Sequence, residues 1–194
     1  MGDSFGRIIT ILIGVVLMFF VPLTIISVKQ DDTKQALIDD AVVEFVDNAR
    51  AAGEISPSGY KQFVDRINAA HQVCNINIAY EASHEVPVPR VDAGGNIIGY
   101  DYKRALQTYN ADDITNYMFY ETDPAGNVKK NASGYPIDLQ PPIDFPLKEG
   151  GYLAVEVTNI TPTLGTQMLR LFLPRYTGTA LISSYSGYVG NNKQ

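Results

Sequence analysis

The sequence predicts an α+β chain: a long N-terminal helix, transmembrane in its first part and amphipathic in its second, joined to a small, mostly antiparallel β-sheet domain. Three observations predict it. Residues Ile8 to Val28 carry no charge, a helical apolar stripe continues without proline or glycine to Ala52, and the apolar period then changes from 3.6 to 2 beyond Val73.

The uncharged run IITILIGVVLMFFVPLTIISV lies between Arg7 and Lys29 and would span about 31 Å as a helix, matching the hydrocarbon core of a bilayer. It is too long for the apolar region of a secretory signal, and Ile25-Ile26-Ser27-Val28-Lys29-Gln30 offers no small-x-small cleavage site. A buried helix of a soluble protein would show a polar face over six turns, which this one lacks. Pro22 removes one hydrogen bond inside the span and should kink it, inviting a partner helix. Arg7 on one side and Lys29 and Lys34 on the other leave the charge rule nearly silent about orientation. The seven-residue tail 1–7 is placed inside and the long domain outside, because a short tail is easily left behind and a Tyr-, Thr- and Asn-rich domain suits an exterior surface.

Past the span, Asp31, Asp32 and Thr33 open a pattern with Leu37, Ile38, Ala41, Val42, Phe45, Val46, Ala49 and Ala52 on one stripe. Asp39, Asp40, Glu44, Asp47 and Asn48 take the other face. The anchor therefore continues as one rod through an amphipathic extension, 29–53, with Gly53 as its C-terminal cap. The remainder, 54–194, is the size of one domain. Ser56-Pro57 marks a helix start, and Tyr60, Phe63, Val64, Ile67 and Ala70 repeat at helical spacing, so a short helix should fold back on the rod.

Cys74, Ile76, Ile78 and Tyr80 alternate with polar neighbours as a strand. Val86-Pro87-Val88-Pro89 belongs on an edge or in a loop, Asp92 to Asn96 is a turn, and Ile97 to Tyr102 returns as a strand. Asn110 to Tyr120 starts with a cap and acidic first turn and reads as a short helix with Ile114, Tyr117 and Met118 on one side. Five prolines between Asp123 and Gly151 give a long wrapping loop. Tyr152 to Ile160 is a half-buried strand with Leu153, Val155 and Val157 inward, Leu164 to Leu173 a short apolar helix or crossover, and Thr179 to Val189 a last strand.

Little chemistry converges. A net charge of −6 and scattered Lys and Arg argue against a nucleic-acid surface. His71 and His84 sit in no nucleophile or metal motif, and Cys74 reads as a small buried hydrophobe that has no partner for a disulfide. The acid pairs Asp31-Asp32, Asp39-Asp40 and Asp112-Asp113 lack calcium-loop spacing. Asp92-Ala-Gly-Gly-Asn96 and Asp123-Pro-Ala-Gly-Asn127 are what tight turns require. Asn131-Ala-Ser133 and Asn159-Ile-Thr161 match the glycosylation acceptor, a pattern common by chance. No enzyme activity, cofactor or metal is expected.

The leader MGDSFGR, the segment AVVEFVDNARAAGEISPSGYKQFVDRI and the terminal pair YLAVEVTNITPTLG and ALISSYSGYV are arranged as in type IV pilins and pseudopilins. The chain most resembles their minor, tight-adherence (TadE-like) branch. The resemblance implies a non-enzymatic structural subunit of a bacterial pilus or pilus-like secretion or conjugation apparatus, whose partners are other copies of itself or related subunits and membrane lipid. Its assembly helix would be carried by Ile8, Leu12, Gly14, Val15, Phe19, Pro22, Ile26, Leu37, Ala41, Phe45 and Ala49, with Gly14, Val15, Ala36, Ala41 and Ala49 allowing close helix approach. Processing would fall between Gly6 and Arg7. The pilin pattern has a glutamate five residues beyond its cleavage point, however, and no glutamate lies in this apolar run. A solitary membrane-anchored extracellular binding or sensor domain, using a tyrosine-rich sheet, is the rival reading.

Overall fold

In the computed structural model, residues 2–70, 73–160, 166–167, 170, 175 and 182–190 are described. Helix α1 is a single rod, Gly2–Ala52, about 76 Å long at 1.5 Å per residue. It passes through Pro22 without interruption, and it begins before the span, so residues 2–7 extend the helix where the sequence suggested a separate tail. Gly53, at φ 74°, ends it in the left-handed conformation that glycine adopts freely, its N–H donating to Ala49 O at 2.9 Å.

A two-residue strand β1, Glu54–Ile55, turns the chain into α2, Pro57–Ala69. Ser56 caps α2 by accepting from the Gly59 N–H at 3.1 Å, and Pro57 occupies the first turn, as the sequence predicts. The stacked rings of Phe45 and Phe63, 4.5 Å apart, and the ion pair of Glu44 with Arg66 show that α2 runs back antiparallel to α1.

The long strand β2, Cys74–Val91, is followed by β3, Ile97–Tyr109, and by helix α3, Ala111–Phe119. Asn110 and Asp113 form a reciprocal capping box at the start of α3. Short β4, Phe145–Pro146, pairs with β1. Strands β5, Tyr152–Asn159, and β6, Ile182–Tyr188, complete an antiparallel sheet of order β3-β2-β5-β6. The expected crossover at Leu164 to Leu173, the start of the last strand at Thr179, and His71 lie outside or mostly outside the described residues.

One face of the sheet and one face of the rod make the core. Ile78, Tyr80, Leu153, Val155 and Val157 are buried, as are Ile38, Ala41, Val42, Phe45, Val46 and Ala49, with Ile55, Phe63, Ile67, Ile114, Met118 and Phe145 closing the top. Leu37 and Ala52, assigned to the same stripe by the sequence, are exposed. Leu37 sits about 100° round the helix from Ile38 and misses the sheet, and Ala52 lies at the helix end. Three side-chain contacts fix the geometry further. Arg50 Nε donates to Tyr188 O at 2.8 Å, Gln35 Nε2 lies 3.4 Å from Ile182 O, and the Tyr80 hydroxyl accepts from Lys148 N–H at 2.5 Å.

These contacts orient the sheet. Residues 35 to 50 rise about 22 Å on the helix, and 182 to 188 rise about 20 Å on a strand, so β6 runs alongside α1 in the same direction. Strand β5 runs down, β2 runs up, and the upper part of β2 continues past the sheet, away from the apolar end of the rod.

Candidate assembly surfaces on the rod and the arm

The first surface is the apolar half of α1. Ile8, Leu12, Gly14, Val15, Phe19, Pro22 and Ile26 are all exposed, Ile8 at 61 % and Phe19 at 67 %, and the most apolar stretch of the helix buries none of its residues. Among the described residues this is the one helix long and apolar enough to cross a membrane. Exposure of a run this apolar in water would be a severe liability, whereas in hydrocarbon it is the expected state. Thr10 and Thr24 hide their hydroxyls by donating to Gly6 O and Phe20 O, each at 2.9 Å, the usual solution for a hydroxyl in a lipid-facing helix. Nothing lies within 4 Å of a Cβ built on Gly14, so that position is open to a neighbouring helix. Gly6 is equally open and Arg7 is exposed at the start of the run.

The structure divides the helix positions named from sequence into two groups. Ala41, Phe45 and Ala49 face the sheet and α2 and are buried in the domain's own core. They are unavailable to a second rod while the domain is folded this way. Leu37 and Val43 remain exposed among Asp39, Asp40 and Asp47, and Ala36 is exposed with them.

The second surface was not legible as such in the sequence. Strand β5 pairs with Cys74 to Glu81 only, whereas β3 pairs with β2 from Tyr80 to Val91. Beyond Glu81 the β2–β3 hairpin therefore stands free as a two-stranded arm of about ten residues, or about 33 Å. Val86-Pro87-Val88-Pro89 is part of that arm. The ladder passes through both prolines, opposite Tyr102 and Tyr100, so their nitrogens point to the open edge where no donor is needed. This blunts the edge against strand addition.

Residues directly opposite in an antiparallel ladder share a face. One face of the arm thus carries Ser83 opposite Leu106, Glu85 opposite Arg104, Pro87 opposite Tyr102 and Pro89 opposite Tyr100, all exposed. The other face carries His84, Val86, Val88, Lys103 and the exposed pair Arg90 and Asp101 at 3.8 Å. His84 is a half-buried strand residue opposite Ala105.

The arm ends in the turn Asp92 to Asn96. Asp92 Oδ1 accepts from the N–H groups of Gly94 and Asn96 at 2.8 and 2.9 Å, and Gly95 takes φ 85°. Those donors, with the Asn96 side chain, hold the Asp92 carboxyl below the ordinary carboxylate range. Asp123 to Asn127 repeats this geometry and the lowered carboxyl. A third copy, Asn131 to Tyr135 with Gly134 at φ 83°, occupies the stretch that carries the Asn131-Ala-Ser133 glycosylation pattern. The two later turns fold the proline-rich loop into a small meander bridged at Thr122 with Val128 and at Lys130 with Pro136.

Reactive chemistry does not converge in the described residues. No group of three His, Cys, Asp or Glu side chains is placed to hold a metal ion among them. Cys74 is half-buried on the inner face of β2, and burial raises its thiol pKa, the opposite of what a nucleophile requires. A cleft of about 170 Å³ between α1 and α2 is bordered by Glu44 and Arg66, which pair with each other, and by Phe45 and Phe63. An apolar depression formed by Tyr60, Val64, Phe119 and Pro142 lies on the far side of α2. The serine hydroxyls that line them, Ser56 and Ser58, bond to each other and, for Ser56, to the Gly59 N–H. Comparison with protein-family models, with curated proteins and with solved structures finds no match for this chain.

Proposed function

We propose that this is a membrane-anchored, non-enzymatic structural subunit that assembles through its N-terminal helix, as in a bacterial pilus or a pilus-like secretion or conjugation apparatus. The observation that carries the reading is the continuity of α1. One unbroken helix supplies both the exposed apolar half, Ile8 to Val28, and the buried core stripe, Ile38 to Ala49, of the folded domain. A flexible tether would suffice merely to hold a binding domain near a membrane. A rigid rod transmits position, so that packing of the apolar halves fixes where each domain sits. The domain lies outside the membrane on the extracytoplasmic side, and Gly14 is the point of closest approach between neighbouring rods.

The test is imaging of the full-length chain, expressed in a bacterial membrane and purified in mild detergent. Filaments or ordered oligomers are expected; a chain that stays monodisperse and monomeric at high concentration sinks the reading. Intact mass of the N-terminus tests processing, loss of six residues marking cleavage after Gly6. A second reading, a solitary anchored binding domain, is favoured by the free-standing Tyr- and Pro-lined arm, and it predicts monomers whose ligand binding is lost when residues 83–105 are removed.

A further inference from the structure

We propose that the β2–β3 arm is a self-association surface, which packs against the arm of a second copy of this chain through the face bearing Ser83, Glu85, Pro87, Pro89, Tyr100, Tyr102, Arg104 and Leu106. Each cross-strand pair on this face joins unlike groups: a carboxylate opposite a guanidinium at Glu85 and Arg104, and a proline ring opposite a tyrosine at 87 with 102 and at 89 with 100. A two-fold rotation about an axis along the arm lays β2 of one copy over β3 of the other. Glu85 then meets the partner's Arg104 while Arg104 meets the partner's Glu85, and both Pro–Tyr pairs are repeated across the interface. Three of the four cross-strand pairs on the face thus find their complement in an identical face, with no like charges opposed, while Ser83 meets the partner's Leu106 at the base of the arm.

The opposite face lacks this property, since Val86 stands opposite Lys103 and Val88 opposite Asp101. An isolated two-stranded ribbon is at best marginally stable in water, and this one leaves Tyr100, Tyr102 and Leu106 more than half exposed. Face-to-face packing removes those side chains from water, and the prolines at the open edge direct association to the face and away from strand addition. The inference takes from the preceding reading only the membrane tether, which points both arms in one direction so that the two-fold axis stands along the membrane normal. It does not require packing of the anchors.

The test uses full-length chain in phosphatidylcholine vesicles, with Cys74→Ser and a reporter cysteine, Ser83→Cys, joined by a bismaleimide of about 10 Å, the spacing of packed sheets. The parent is expected to give a covalent dimer. Glu85→Arg opposes two pairs of arginines and Arg104→Glu two pairs of glutamates, and either chain alone should lose the dimer by about tenfold or more. Mixing the two reversed chains restores both opposite-charge pairs between copies, while leaving the cross-strand pair within each chain broken. The dimer should return, and only as the heterodimer. A parent without the dimer, reversed chains that crosslink like the parent, or a mixture that stays uncrosslinked each overturns the proposal. Crosslinking retained along Ile8 to Val28 in a chain that fails at Ser83→Cys removes the arm contact alone, and the converse result removes the anchor packing alone.

Discussion

Truncating Phe45 to alanine tests whether the rod is also the core of the domain. Phe45 is 7 % exposed, stacks on Phe63 at 4.5 Å, and meets Tyr60 edge-on at 6.4 Å. Removing its ring forfeits the transfer free energy of a buried aromatic, leaves a cavity that α2 can only partly close, and loses two ring contacts of about 0.5–1.5 kcal/mol each. A loss of about 3–5 kcal/mol follows. For a domain of this length that lowers the melting temperature by roughly 6–20 °C. The chain has no tryptophan and twelve tyrosines, so thermal unfolding in mild detergent is followed by near-ultraviolet circular dichroism of the tyrosines. Leu37→Ala, eight residues earlier and 55 % exposed, is the control and should cost no more than about 0.5 kcal/mol. A Phe45→Ala loss below about 1 kcal/mol, or equal losses at both positions, would refute the packing of α1 against the domain.

Gly187→Val should destabilise by about 0.5–1.5 kcal/mol in the same assay, because a Cβ there displaces the Arg50 guanidinium and breaks its bond to Tyr188 O. Gly151→Ala should act similarly by driving into the Tyr80 ring; normal stability of both variants would place Arg50 and Tyr80 elsewhere. Burial, with the Asp112 carboxylate at Tyr60, raises the pKa of Tyr60 and Tyr80 above the ordinary 10.0. The folded state therefore holds these protons more tightly, and the stability they contribute is full below pH 10 and lost as pH rises through the folded values. Absorbance titration at alkaline pH should show two tyrosines ionising late and together with unfolding, whereas twelve ordinary titrations would contradict their burial. Asp92 and Asp123 carry lowered pKa values, so the hydrogen bonds of both turns persist above pH 3.8 and are lost only as pH falls through the folded values. Carboxyl resonances followed by NMR should titrate below that value, and an ordinary midpoint removes the turn geometry. Cys74 should react with a thiol reagent more slowly than a free cysteine at neutral pH and at the free rate once unfolded.

Most of the fold was legible because its elements obey strong local rules. The uncharged run, the uninterrupted stripe to Ala49, the Ser56-Pro57 cap, the helix cap with its acidic first turn at Asn110 and the alternation of Leu153, Val155 and Val157 all carry one reading, and the structure has each of them. What escaped depends on pairing rather than on local pattern. Strand β1 has only two residues, and its partner Phe145–Pro146 lies ninety residues away within a proline-rich stretch. The arm leaves one face in solvent and covers the other only in part, so alternation is weak, and Pro87 and Pro89 mask the strand until the one-sided ladder is seen. The complementarity of Glu85 with Arg104 and of the prolines with Tyr100 and Tyr102 exists only in a register, which no single-strand pattern specifies. The stripe assigned to α1 was too wide for the same reason: whether Leu37 faces the sheet depends on where the sheet sits.

The central claim is that the apolar half of α1 is an assembly surface as well as an anchor. Single cysteines placed in turn from Ile8 to Val28 of the full-length Cys74→Ser chain, oxidised in native membranes, measure it directly. Disulfide dimers recurring every three to four residues, strongest near Gly14, are predicted. Crosslinking at background level at every position, at a protein density where the chain is abundant in the membrane, would contradict it.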